Sequence, residues 1–214
     1  MLVFDLDGTL VDSFGDIHDA VTGALRAIGL DTSDQVLALC RRGIGLELFY
    51  EHATGGRAAD GAEFERFVGV YRAGYRTRGA PFPGVRATLA ELRRRHPSVP
   101  FAVATTKRTD VARRVLETGG LADYFDLVRG SDGLPHKPDP AVLHHIAATT
   151  GHPIASAHMI GDTDRDVLAA QAAGCTAVAV TYGGWGRDEL AALAPDHLID
   201  RFDQLLDLPR LTGS

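Results

Sequence analysis

The chain has 214 residues, 45% of them hydrophobic and 23% charged, and carries a formal net charge of -6. That is globular composition, with room for one sizeable core or a core plus a small companion domain, and it excludes a disordered chain. The acidic balance gives no reason to expect nucleic acid as a partner, because phosphate backbones demand a concentrated basic surface. No apolar stretch approaches the ~18 residues of a membrane span and no targeting segment precedes the first apolar run, so no membrane role is expected. Cys40 and Cys175 lie far apart and form no CxxC pair, which points to neither a disulfide framework nor a zinc site and fits a reducing cytoplasm.

Taken in chain order, MLVFDLDGTL opens with a β-type run. A strand over 2–6 turns Leu2, Phe4 and Leu6 to one face and Val3, Asp5 and Asp7 to the other. Two readings of the aspartates stand at this point: the polar face of a half-buried strand, or a functional pair. Residues 14–79 carry helical patterns, DIHDAVTGALRAIGL, SDQVLALCRR, LELFYEHA and DGAEFERFVGVYRAGYRTR, broken at glycines such as Gly43, Gly45, Gly55 and Gly56. This helical insert returns through GAPFPG, a segment suited to a hinge. From residue 100 onward, β-rich runs at 101–105, 125–128, 157–160, 176–180 and 197–199 alternate with helices predicted to start near Thr109 and Asp139 and to stop at Gly119 and Gly151. Such alternation implies an α/β fold, a Rossmann-like parallel sheet covered on both faces. The expected division is a core domain of 1–13 and 80–214 with an inserted helical domain of 14–79. The run Arg93-Arg94-Arg95 reads as a solvated helix face.

Ligands of open parallel sheets bind beyond the carboxyl ends of the strands. Asp5 and Asp7 follow the first predicted strand, Thr105, Thr106 and Lys107 the second, and Asp162, Asp164 and Asp166 follow AHMI, while Lys137 lies in the loop HKPDP. Helix capping accounts for Asp162 or Asp164 alone, but not for so much acid on one rim. Two carboxylates about 4 Å apart repel by roughly 4 kcal/mol at an effective dielectric near 20, so the cluster calls for a cation. All-oxygen ligands favour a hard ion, Mg2+. A divalent cation, a lysine, a threonine hydroxyl and a spare carboxylate are the parts needed to bind and attack a phosphoryl group, with one carboxylate as nucleophile and its neighbour moving a proton. Of the 22 basic residues only Lys107 and Lys137 are lysine, as though a compact ammonium were needed there.

With DLDGTLVDS, Thr105 in VATTK, Lys137 in HKPDP and GDTDRD in that order, the chain resembles the haloacid dehalogenase superfamily in its phosphatase branch. DSFGDIHDAVTGALRAIGL, PFPGVRATLAEL, GLADYFDLV and DHLIDRFDQLL resemble phosphoglycolate phosphatase and its near relatives. The resemblance implies a Mg2+-dependent phosphatase that acts on a small phosphorylated metabolite through an aspartyl-phosphate. It implies Asp5 as nucleophile, Asp7 as general acid/base, and Mg2+ on Asp5, Asp162 and the Asp7 carbonyl, with Asp166 supporting the metal shell. It further implies Thr105, the Thr106 amide and Lys137 on the phosphoryl group. Where relatives often read TNK this chain reads TTK, which gives Lys107 a weaker claim. The insert resembles a C1 cap, and in its RRGIGLEL loop Arg42 is the expected substrate contact. His18 is expected to be a structural or surface histidine.

Within the superfamily, Asp7 argues against a dehalogenase, and an insert without lysine excludes a phosphonatase. A phosphosugar mutase and a pyrophosphatase remain as alternatives, as does a relative that only binds a phosphorylated ligand. The oligomeric state, monomer or homodimer, is left open.

Overall fold

A computed structural model describes residues 1–208. In chain order the elements are β1 (Leu2–Phe4), β2 (Val11–Asp12), α1 (Phe14–Ala27), α2 (Asp34–Leu39), α3 (Leu46–Ala53), α4 (Gly61–Gly74) and β3 (Ala80–Pro81). There follow α5 (Val85–Arg95), β4 (Phe101–Ala104), α6 (Thr109–Thr118), β5 (Leu127–Arg129), α7 (Ala141–Thr150) and β6 (His158–Gly161). The last are α8 (Asp164–Ala173), β7 (Thr176–Val180), α9 (Arg187–Ala191) and β8 (His197–Ile199).

Six strands form one parallel sheet in the order β5-β4-β1-β6-β7-β8. Continuous apolar strands such as FAVA and AVAV fit a sheet buried on both faces. Leu2 and Phe4 join Leu89, Phe101, Leu116 and Phe202 on one face, while Val3 joins Ala102, Leu143, Ile146 and Met159 on the other. Phe4 is the aromatic hub of the first layer, with ring centroids 5.8 Å from both Phe101 and Phe125 and 6.0 Å from Phe202. From β1 the chain builds outward through β4 and β5, then crosses to β6, β7 and β8 on the other side. The connectivity therefore reverses at β1, and the crevice beyond its carboxyl end is the expected ligand position.

The first strand ends at Phe4, not residue 6, and is not half-buried, because helices cover both of its faces. Asp5 and Asp7 thus lie on the turn beyond it. The predicted strand at 125–128 is shifted to Leu127–Arg129, since Phe125 packs against Phe4 and the Asp126 carboxylate accepts from the Phe101 N–H. The α7 helix begins at Ala141, not Asp139, whose side chain accepts from the Ala141 N–H at 2.8 Å. Arg93 is not solvated as its arginine run suggested. Its guanidinium stacks over Phe101 at 4.0 Å and donates to the carbonyls of Val99 and Tyr124. Arg94 and Arg95 pair with Glu91 on the surface.

Between β1 and β4 the helical insertion has its own core, in which Val21, Leu25, Phe49, Tyr50 and Phe67 are buried and α1 packs along α4. Cys40 belongs to this core. Its two linkers are clasped: β2 pairs antiparallel with β3. The buried Asp16 carboxylate accepts the backbone N–H groups of Arg78 at 2.6 Å and Gly79 at 3.0 Å. Two-residue strands carry no readable period, so this ribbon lay hidden in the expected hinge. Among the described residues no helix is long and apolar enough to cross a membrane.

Candidate active site

The carboxyl ends of β1, β4 and β6 bring Asp5, Asp7, Thr105, Thr106, Lys107 and Asp162 together, and the loop after β5 supplies Lys137. Asp5 is pinned by its own N–H, which donates to the Ile160 carbonyl at 2.8 Å. Gly8 then turns the chain with φ of +83°, a conformation that favours glycine. This lets the backbone pass tightly over the Asp162 carboxylate: a methyl group on Gly8 would lie 2.7 Å from the Asp162 Cγ.

Lys137, 4% exposed, has every ammonium proton engaged. It donates to Asp5 Oδ1 at 2.9 Å, Asp166 Oδ1 at 2.5 Å and the Ala104 carbonyl at 2.9 Å. Burial disfavours this ammonium, yet the charges of Asp166 and Asp5 outweigh it and raise its pKa. Asp166 is saturated in turn, since its Oδ2 accepts the Thr163 N–H at 3.1 Å and hydroxyl at 2.8 Å in a capping box that starts α8. Its direct partners are thus Lys137 and the helix start.

Asp162 is fully buried, and its partners among the described residues are neutral: the Thr9 hydroxyl at 2.8 Å and the Gly184 N–H at 2.7 Å. Burial, then the charges of Asp5 and Asp166, hold its pKa well above the ordinary carboxylate range. Asp5 is raised too, by burial first and by Asp166 and Asp7 next, with Lys137 opposing. One carboxylate oxygen from each of Asp5, Asp162 and Asp166 falls within 4.8 Å of the others. Three buried acids that share one ammonium are an unbalanced set, and a metal cation among these oxygens would balance it.

Asp7 faces the second lysine. Lys107 Nζ lies 2.8 Å from Asp7 Oδ2, and the Ser13 hydroxyl donates to Asp7 Oδ1. Both lysines that survive in an arginine-rich chain therefore end beside the DLD aspartates. Thr105 is buried and its hydroxyl accepts the Lys107 N–H at 3.2 Å. Thr106 lines the cavity of about 890 Å³ that opens between these loops and the helical insertion.

Arg42 does not line that cavity. It pairs with Glu189 at 3.0 Å and stacks over Trp185 at 4.6 Å, so it ties the insertion to α9 and the loop before it. Its neighbour Arg41 lines the cavity and stacks on Phe14 at 4.4 Å. His18 is partly exposed beside Asp19. Thr9, Ser13, Tyr75 and the YGGWG loop at 182–186 were not foreseen as parts of the site. A glycine-rich loop at a strand's carboxyl end was the available signal for the last of these.

The model of the haloacid dehalogenase-like hydrolases matches residues 2–180. The chain belongs to this family. It is 36% identical to the phosphoglycolate phosphatase of Photobacterium profundum over 225 residues, covering 98% of this chain and 95% of that one. Identity to the phosphoglycolate phosphatase of Photorhabdus laumondii is 35%, over 96% of this chain and 90% of the relative. A crystal structure of a predicted phosphoglycolate phosphatase from Haemophilus somnus superposes with a TM-score of 0.86 at 28% identity, over 97% and 96% of the two chains. The chain is thus a haloacid dehalogenase-like phosphatase, an α/β core with a helical insertion, and its family acts on small phosphorylated substrates.

Proposed function

We propose that the chain hydrolyses a small phosphate monoester, phosphoglycolate first among candidates, in a Mg2+-dependent reaction through an aspartyl-phosphate on Asp5. The observation that carries this reading is the buried Asp5 carboxylate, gripped by Lys137 at the mouth of β1 with Asp7 and Asp162 beside it. The phosphoglycolate assignment rests on the relatives that carry that name.

In this reading an Asp5 oxygen attacks phosphorus and the ester oxygen leaves, taking a proton from Asp7. Water then attacks phosphorus, Asp7 takes its proton, and phosphate and free Asp5 result. Lys137 orients Asp5 and offers positive charge to the phosphoryl oxygens. The Thr105 hydroxyl and Thr106 amide hold those oxygens. Asp5, Asp162 and the Asp7 carbonyl would hold Mg2+, while Asp166, engaged with Lys137 and Thr163, would support them from behind. When bound, the cation would neutralise charge on the phosphoryl group and lessen the repulsion among the acids. Residues 14–79 act as a cap over a core of 1–13 and 80–214, shielding the reacting atoms from bulk water.

The test is phosphate release from phosphoglycolate, sugar phosphates and pyrophosphate, before and after treatment with EDTA. The reading requires phosphoglycolate turnover that EDTA abolishes and added Mg2+ restores. Absence of turnover on every ester would contradict it.

A further inference from the structure

The two lysines of the site, Lys137 buried and Lys107 nearly so, differ in one respect. Lys137 spends its three N–H donors on Asp5, Asp166 and the Ala104 carbonyl. Lys107, whose side chain is 10% exposed, has one ion-pair partner among the described residues, Asp7 Oδ2 at 2.8 Å. One side of its ammonium is covered by the Tyr75 ring, with the centroid 4.6 Å away, well inside cation–π range. An ammonium carries three donors, and a desolvated one needs partners for them. Lys107 also lines the cavity, so its remaining donors have the cavity to serve.

A second orphan sits beside it. The Tyr75 hydroxyl is buried without a hydrogen-bond partner, and Tyr75 lines the same cavity. A cation with spare donors next to an unpartnered hydroxyl is a receptor for an anionic oxygen group. Neighbouring arginines suit this task less well: Arg108 and Arg114 are 53% and 63% exposed and are engaged with Asp110.

We infer that Lys107 and Tyr75 form the subsite for a second anionic group of the substrate, a carboxylate on the carbon skeleton that leaves. This deepens the phosphatase reading above and rests on it. Geometry sets the spacing. A carboxylate bonded to Lys107 lies about 3 Å from Nζ and hence within about 6 Å of the Asp7 carboxylate, the group assigned to the leaving oxygen. The substrate class is therefore a phosphate monoester with a carboxylate one or two carbons from the ester oxygen. Neutral sugar phosphates lack that group.

The experiment compares kcat/KM, with Mg2+ present, for 2-phosphoglycolate, its uncharged amide and ethyl phosphate. A hydrogen-bonded charged contact predicts that the wild type prefers the carboxylate by about tenfold to a hundredfold over either neutral ester. In Lys107→Met the preference collapses to within about twofold of unity, and in Tyr75→Phe it falls partway, whatever happens to overall turnover. Equal use of charged and neutral esters by the wild type overturns the inference and needs no variant to fold. A Lys107→Met enzyme that loses turnover on all esters by one factor, with the preference intact, also overturns it, since Lys107 then only positions Asp7. Turnover of none of the esters overturns the phosphatase reading and this inference with it.

Discussion

Replacing Gly8 with alanine perturbs the turn that carries the backbone over Asp162. Its φ of +83° costs an L-residue about 1–2 kcal/mol. Steric overlap costs more: the new methyl would collide with the Asp162 carboxylate, 2.7 Å from its Cγ. Asp162 has nowhere to retreat, because a Cβ on Gly183 would overlap it from the other side. Moving the carboxylate would sacrifice the Thr9 hydroxyl or the Gly184 N–H, each a bond to an ionisable group worth about 1.5–3 kcal/mol. The expected loss is about 3–5 kcal/mol of stability, with phosphate release falling to background. Gly151→Ala is the control, for its φ of +70° is similar but its added methyl meets nothing within 4 Å. It should lose about 1 kcal/mol and keep its turnover. Urea unfolding and phosphate release, measured on both variants, decide the matter. A Gly8→Ala protein as stable and active as Gly151→Ala would refute the claim that Asp162 is held between two glycine backbones.

Asp16→Ala removes the acceptor of the Arg78 and Gly79 N–H groups from a buried position in the linker clasp. Unfolding should cost about 2–4 kcal/mol less, and a loss below about 0.5 kcal/mol by urea titration would refute the clasp. Acid should weaken the fold through His158, which is 6% exposed. Burial first, then the Met1 amine and His197, lower its pKa to about 4. The folded chain thus binds fewer protons than the unfolded chain, whose histidine titrates near 6.5. The stabilisation is complete above about pH 6.5 and is lost as pH falls from there toward 4, by up to about 3 kcal/mol. Urea midpoints at pH 7, 5.5 and 4.5 should fall less steeply for His158→Gln than for the wild type, and parallel slopes would contradict this.

Much of the site was legible because its residues follow strands. Once the alternation from residue 100 onward implies a parallel sheet, the groups after each strand must share a rim, which is how Asp5, Asp162 and Thr105 converge. The scarcity of lysine was an independent pointer, and both lysines end in ion pairs with the DLD aspartates. Contacts across the insertion were not legible. Arg42 sits in a glycine-flanked loop that looks aimed at a ligand, but Trp185 and Glu189, more than 140 residues onward, offer it a stacking face and a charge. Arg93 is a similar case, since nothing local in an arginine run says that one member covers Phe101. That Asp166 also caps α8 and bonds Lys137 was not legible either, because both contacts depend on the turn geometry around Thr163.

The central claim is that Asp5 itself attacks phosphorus. Asp5→Asn keeps an oxygen to accept from Lys137 and nearly the same volume, so the site should survive while the nucleophile is lost. Phosphate release from phosphoglycolate, with folding checked by thermal unfolding, should fall by about a thousandfold or more. A folded Asp5→Asn protein that turns over within about tenfold of the wild type would contradict the covalent mechanism.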